Sequence, residues 1–215
     1  MKKVTFLTGV LILAVMTMSF VSQEVVCPWG VSQEVAGQGR VSQEVVRQES
    51  VRQEGARQED WISFEGHGYK MLFPEKPKDE TRTINTALGE LKMNIFMYEV
   101  QDELKDDNYT YSITEIEYPD SVINSDKKDI LDKFMRNCVD GSVNSVHGKL
   151  LTETVIQLNG FPGREFRIDI KDGFAVVTMR AYLVHNTMYI LQIITNAKKD
   201  FNKSLGRFMN SFTLK

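Results

Sequence analysis

From Trp61 to the C-terminus, apolar and polar residues alternate in short segments that are separated by turns rich in glycine, proline and asparagine. A period of two is typical of half-buried β-strands. After an opening apolar segment at 61–64, the pattern predicts strands at 69–74, 81–86, 90–100, 109–118, 149–158, 164–170, 174–184 and 188–195. The last two are apolar on both faces, which predicts that they lie in the centre of a covered sheet.

Two segments have helical periodicity instead. Asn124 or Ser125 offers an N-cap for the first, and Gly141 either ends that helix or only interrupts it. Its apolar positions recur at spacings of three and four, at Leu131, Phe134, Met135, Cys138 and Val139. The second is an amphipathic C-terminal helix whose apolar positions are Phe201, Leu205, Phe208 and Phe212.

This order of strands, one helix, four strands and one helix predicts an α+β domain with a mostly antiparallel β-sheet packed against helices. The domain spans residues 61–215, which is long enough to bury its own core.

The first twenty residues predict export. Lys2 and Lys3 precede an uncharged, mainly apolar stretch of 17 residues, Val4 to Phe20. Such a stretch is typical of a secretory signal peptide, here 1–20, and it is also at the short limit of a membrane span. We therefore expect a cleaved signal, with an uncleaved N-terminal anchor as the alternative. The expected location is periplasmic or secreted, with membrane contact only through an uncleaved signal segment.

Residues 21–60 are a repeat of eight five-residue units, beginning VSQEV, VCPWG, VSQEV. A period of five places the recurring valines on no single helix face and on alternate strand faces. A pentapeptide solenoid would bury the Gln at the centre of seven units. The polar composition instead predicts a low-complexity, disordered tether.

The chain has two cysteines, Cys27 in the repeat and Cys138 in the predicted helix. In an exported protein they could pair. Lipidation of Cys27 is a further alternative, although Glu24-Val25-Val26 lacks the small residue that precedes a lipidated cysteine. We interpret Cys138 as a small buried hydrophobe and Cys27 as a free thiol in the tether.

Composition and motifs exclude several classes of function. The net charge is −3, and from Trp61 onward 20 Lys and Arg residues face 22 Asp and Glu residues, so a nucleic-acid partner is not expected. The three histidines, His67, His147 and His185, fall in predicted turns or loops and match no metal or catalytic motif. Glu115 and Glu117 share one strand face, which we interpret as solvated. We assign no catalytic, cofactor-binding or metal-binding residue.

Four segments resemble the PsbP-like fold family, which includes small exported bacterial proteins. They are YKMLFPEKP at 69–77, NGFPGREFRI at 159–168, RAYLVHNTMYILQI at 180–193 and FNKSLGRFMNSFTL at 201–214. The resemblance implies an α/β/α sandwich with an antiparallel sheet, and a protein that works by binding other proteins. It transfers no functional residue.

The expected function is that of an exported, non-enzymatic binding or assembly factor whose partner is an envelope protein. Arg167, Arg180 and Tyr182 on neighbouring strands are the predicted interaction face, unless they only snorkel beside a helix. One alternative is a hydrolase or other enzyme, which would need a pocket with a histidine beside a carboxylate. Another is a small-molecule or lipid carrier with a closed apolar cavity.

Overall fold

The structure is a computed structural model that describes residues 61–86, 89–102 and 104–215. The predicted signal peptide, the predicted tether with Cys27, and the predicted turn residue Leu88 lie outside the described residues.

Within the described residues, all eight segments predicted as strands form strands, and the segments at 62–66 and 213–214 form two more. In chain order they are β1 (Ile62–Gly66), β2 (Tyr69–Phe73), β3 (Lys78–Thr86), β4 (Gly89–Glu99), β5 (Asn108–Glu117), β6 (Lys149–Leu158), β7 (Phe161–Ile170), β8 (Ala175–Val184), β9 (Thr187–Asn196) and β10 (Thr213–Leu214). Two α-helices are α1 (Lys128–Ser145) and α2 (Lys203–Ser211), and Ala197–Lys199 forms a short 3₁₀ helix.

Seven strands form the larger sheet, in the order β3-β4-β5-β9-β8-β7-β6, and every neighbouring pair is antiparallel. The strands β8 and β9, which are apolar on both faces, lie inside this sheet as predicted. The smaller sheet has the order β1-β2-β10. Its two-residue strand β10 was predicted only as a tail.

The larger sheet is covered on both faces. On one face, Phe134, Met135, Cys138 and Val139 of α1 share a buried cluster with sheet residues such as Met179. The opposite face carries α2 and the smaller sheet, with a second cluster that includes Trp61, Phe73, Tyr111, Phe208 and Phe212. The α+β class and the α/β/α arrangement are therefore confirmed. In the described part of the chain, no helix has the length and apolar character needed to cross a membrane.

Several local predictions need correction. The helix α1 begins at Lys128, two or three residues beyond the predicted start, and continues without a break through Gly141 to Ser145. The hairpin between β6 and β7 turns at Asn159 and Gly160 alone, both with positive φ, so β7 starts at Phe161. The two-residue loop agrees with the preference of Asn-Gly for the short turns of β-hairpins.

Cys138 is buried, as predicted, but it is not a simple hydrophobe. Its side chain is 2% exposed within the core of α1, and its sulfur is in a disulfide. The described residues include no free cysteine.

Candidate interaction surface

The three residues of the predicted interaction face lie together on the sheet face that α2 covers. Arg167 on β7 and Arg180 and Tyr182 on β8 are on neighbouring strands, as expected. Tyr182 is 6% exposed, and its ring stacks on Phe212 with a centroid separation of 6.0 Å and an angle of 6°. Gly163 on β7 leaves room for this ring, since an added Cβ would lie 2.6 Å from it.

Arg180 binds the C-terminal end of α2. One of its terminal nitrogens donates 2.9 Å hydrogen bonds to the Met209 carbonyl and to Asn210 Oδ1. Its Nε donates to Glu165 on the adjacent strand. A cation at this end of a helix interacts favourably with the helix dipole.

Arg167 binds the segment that precedes α2. It forms an ion pair with Asp200, and its guanidinium carbon lies 4.1 Å from the centre of the Phe201 ring. The side chains of Arg167 and Asp200 are only 13% and 14% exposed. All three residues thus stabilise the position of α2 on the sheet. Their direct contact with a partner stays a prediction.

The exposed apolar residues are at one end of the sheet instead. Leu104 in the β4–β5 loop, Phe174 in the β7–β8 loop and Phe201 before α2 are 97%, 56% and 74% exposed. We call this set the loop surface. Isolated exposed apolar residues are common, but aromatic residues gathered on loops at one edge are typical of binding sites.

Hydrogen bonds join the three loops of the loop surface. The Asn196 amide donates to the Asp107 carbonyl at 3.2 Å, and the Ala197 amide donates to the Phe174 carbonyl at 3.3 Å. Lys199 Nζ donates to Asp107 Oδ1 at 2.8 Å. The loops are therefore held as one unit, which reduces the entropy that binding would otherwise cost.

A buried polar network lies beneath this unit, with Asn108 at its centre. The Asn108 side chain, which is 0% exposed, accepts from Thr195 Oγ1 at 2.7 Å and donates to Tyr111 Oη at 2.6 Å. It also exchanges hydrogen bonds with Asn202 across the base of α2. Because each group has partners, the network fixes the loop bases without leaving Asn108 unpaired.

Phe201 has an unusual backbone for an aromatic residue. Its φ angle is +61°, and its amide donates to Asp200 Oδ1 at 2.9 Å. A bulky residue in this region is an outlier, and such strain costs on the order of 1–3 kcal/mol. The predicted helical position is therefore wrong: α2 begins two residues later, and Phe201 projects outward beneath the Arg167 guanidinium.

Phe174 is also held in place. Its ring stacks on Tyr109 at 6.0 Å with an angle of 4°, and Lys171 Nζ lies 5.9 Å from the ring centre. The turn before it, at Lys171, Asp172 and Gly173, has positive φ angles throughout. Both phenylalanines of the loop surface are thus exposed and immobilised, a combination suited to anchoring a partner.

A histidine–carboxylate pair lies at the opposite end of the sheet. His67, in the β1–β2 turn, has Nδ1 3.1 Å from Glu115 Oε2 on β5. The two side chains are 83% and 5% exposed, respectively. The Tyr189 hydroxyl donates to the His67 carbonyl at 2.8 Å, which holds the turn over Glu115.

The burial of Glu115 corrects its interpretation as a solvated residue. Tyr69 is buried beside it; burial raises the pKa of Tyr69, and the Glu115 charge raises that pKa further. Glu115 Oε1 and the Tyr69 hydroxyl are both buried without a well-formed hydrogen bond. A carboxylate at Nδ1 can orient an imidazole so that Nε2 faces solvent as a base. This is one contact that the enzyme alternative requires, and that alternative stays a hypothesis.

The sequence did not identify the loop surface. Phe174 was predicted as the first residue of a strand and Phe201 as part of a helix face, so both were expected to be buried. The available signal was local: each phenylalanine directly follows a short polar segment, Lys171-Asp172-Gly173 or Lys198-Lys199-Asp200.

Comparison with known proteins gives a resemblance of fold. No protein-family model matches the chain, and no curated protein matches its sequence. The structure is similar to the solution structure of cyanobacterial PsbP (CyanoP) from Synechocystis sp. PCC 6803, with a TM-score of 0.43 and 16% sequence identity. The match covers 77% of this chain and 98% of that chain. The resemblance is one of fold, and it carries nothing about activity, partner or location.

Proposed function

We propose that the protein is an exported, non-enzymatic binding or assembly factor that contacts an envelope protein through the loop surface. The observation that carries this proposal is the exposure of Phe174 and Phe201 on loops that are fixed by ion pairs, ring stacking and a buried polar network. Aromatic side chains that are already ordered lose little entropy on binding, and they are frequent hot spots in protein interfaces.

The N-terminal sequence supports export, since it has the pattern of a signal peptide. The partner is therefore expected to be another protein of the envelope.

Phe174→Ala and Phe201→Ala should each reduce binding of this partner. Truncation of an aromatic hot spot removes about 2 kcal/mol or more, which is a loss of affinity of roughly 30-fold. The measurement is quantitative affinity purification of the tagged, exported protein from solubilised envelope. Phe161→Ala is the matched control, because Phe161 is a half-buried aromatic residue at the opposite end of β7.

The expected result is one defined protein that is recovered with the wild type and with Phe161→Ala, and depleted with both loop variants. Circular dichroism would verify that the variants remain folded. Recovery of the same protein in equal amounts with all four proteins, or repeated recovery of none, would contradict the proposal.

A further inference from the structure

The two edge strands of the larger sheet differ in how they are protected. The β3 edge carries four charged residues among its nine, namely Lys78, Asp79, Glu80 and Arg82. The β6 edge has ten residues and carries only Lys149 and Glu153. Charged side chains on an edge strand prevent other strands from pairing with it. The β3 edge is therefore protected against pairing with another strand, and the β6 edge has much less of this protection.

The one charge within the regular part of β6 is used inside the molecule. Glu153 forms ion pairs with Arg136 of α1 and with Arg164 of β7, the latter between Nε and Oε1 at 3.3 Å. A register shift between Leu150 and Thr152 interrupts the start of the strand. Residues 152–158 therefore form a regular edge strand. Its one charged side chain, Glu153, is already paired with arginines of the same molecule.

This edge also exposes apolar side chains. Val155 and Leu151 are 67% and 43% exposed. In the described ranges, the other large hydrophobic residues with this degree of exposure are the three of the loop surface. Thr152, Thr154, Val155 and Ile156 are β-branched, which favours extended pairing. The physical features of β6 thus fit the addition of a strand.

We propose that a second copy of this chain pairs with β6 in antiparallel fashion, with Val155 on the two-fold axis. In a pair of neighbouring strands, residues that lie directly opposite each other have their side chains on the same face of the sheet. A symmetric pair of identical antiparallel strands therefore has one residue that lies opposite the same residue of the second copy, on the two-fold axis. With Val155 at the centre, Glu153 faces Gln157 of the second copy, and Thr154 faces Ile156.

The Val155 register pairs the whole regular segment 152–158 with its copy, since Thr152 then faces Leu158. A centre at Glu153 would place two carboxylates opposite each other, and like charges in that position are destabilising. A centre at Thr154 would place Glu153 opposite the apolar Val155. The Val155 register instead joins apolar and β-branched pairs and leaves Glu153 beside an amide. The resulting dimer has one continuous sheet and is independent of the partner proposed for the loop surface.

The first test is the oligomeric state of the purified protein by analytical ultracentrifugation over a range of concentrations. We expect a dimer for the wild type. Val155→Lys places two ammonium groups opposite each other and should raise the dimer dissociation constant by about tenfold or more. Asn85→Lys is the matched control, since it adds the same charge to the exposed surface of the β3 edge and should leave the dimer intact.

The second test fixes the register. Residues directly opposite in an antiparallel pair have Cα atoms about 4.5–5.5 Å apart, which a disulfide can span. Val155→Cys should therefore form a covalent dimer under mild oxidation, seen on a non-reducing gel. Thr154→Cys is the control, because Thr154 faces Ile156 rather than itself and should remain largely uncrosslinked.

A wild-type protein that stays monomeric at high concentration would overturn the proposal, as would a dimer that persists in Val155→Lys. Preferential crosslinking through Thr154→Cys would overturn the assigned register. The protein could instead be monomeric and co-purify with a different protein, with loss of that protein in Val155→Lys. This result would show that the strand paired with β6 comes from that protein and not from a second copy.

Discussion

Raising the pH above about 10 should progressively destabilise the protein and then unfold it cooperatively, because its core contains several buried tyrosines. Burial raises the pKa of Tyr69, Tyr111 and Tyr118 in the folded protein. In the unfolded chain their pKa is about 10. Below about pH 10 both states are protonated, so the stability that these groups contribute is fully present. At higher pH only the unfolded state loses protons, and stability falls.

The size of this effect is large relative to the total stability. At about pH 11, each tyrosine that stays protonated in the folded protein lowers the free energy of unfolding by about 1.4 kcal/mol. Three such tyrosines lower it by about 4 kcal/mol. Small domains are stable by only about 5–15 kcal/mol. Tyr182 and Tyr189, whose pKa values are also raised by burial, add to the effect.

Tyrosinate absorbance and far-ultraviolet circular dichroism should therefore change together in one alkaline step. Tyr118→Phe provides a specific check, since the Tyr118 hydroxyl is buried without a hydrogen-bond partner. This variant should shift the alkaline midpoint upward and cost little at neutral pH. Ionisation of most tyrosines near pH 10 with the secondary structure intact would show that the core is not packed as described.

Asn108→Ala should be strongly destabilising, by about 2–4 kcal/mol, because it removes the centre of a buried polar network. Thr195, Tyr111 and Asn202 would each lose a partner where water has little access. Urea unfolding followed by circular dichroism gives the measurement.

The matched control for that substitution is Asn94→Ala. Asn94 accepts a hydrogen bond from Thr81 on an exposed part of the β3–β4 pair, and its loss should change stability by about 0.5 kcal/mol or less. Equal effects at the two positions would mean that the loop bases are not fixed by Asn108. Because the network orders the loop surface, Asn108→Ala should also weaken binding of the partner in conditions where the domain stays folded.

The fold was largely predictable from the sequence because burial imposes simple periods. Alternation identified β4 and β7, and apolar character on both faces of β8 and β9 placed them inside the sheet. The pairing of β10 with β2 was not predictable, since two residues carry no period and their partner is more than 140 positions earlier in the chain.

The candidate site was less predictable for a related reason. Phe201 fits the helical spacing of Leu205, Phe208 and Phe212, but Asn202 caps the helix by accepting from the Leu205 amide at 2.8 Å. The helix therefore begins only after the first residue of the pattern, Phe201. Glu115 was misjudged because alternation shows only which residues share a face of the sheet. It does not show whether another part of the chain, here the β1–β2 turn, covers a polar residue on that face.

Site-specific photo-crosslinking in the envelope tests directly whether the loop surface contacts a partner protein. A photo-reactive residue at position 174 would sample contacts within a few ångströms of the loop surface, and the same residue at position 161 would sample the opposite end of β7. We expect one defined envelope protein to be crosslinked from position 174 and not from position 161. Equal crosslinking from both positions, or no crosslinked protein from position 174, would contradict it.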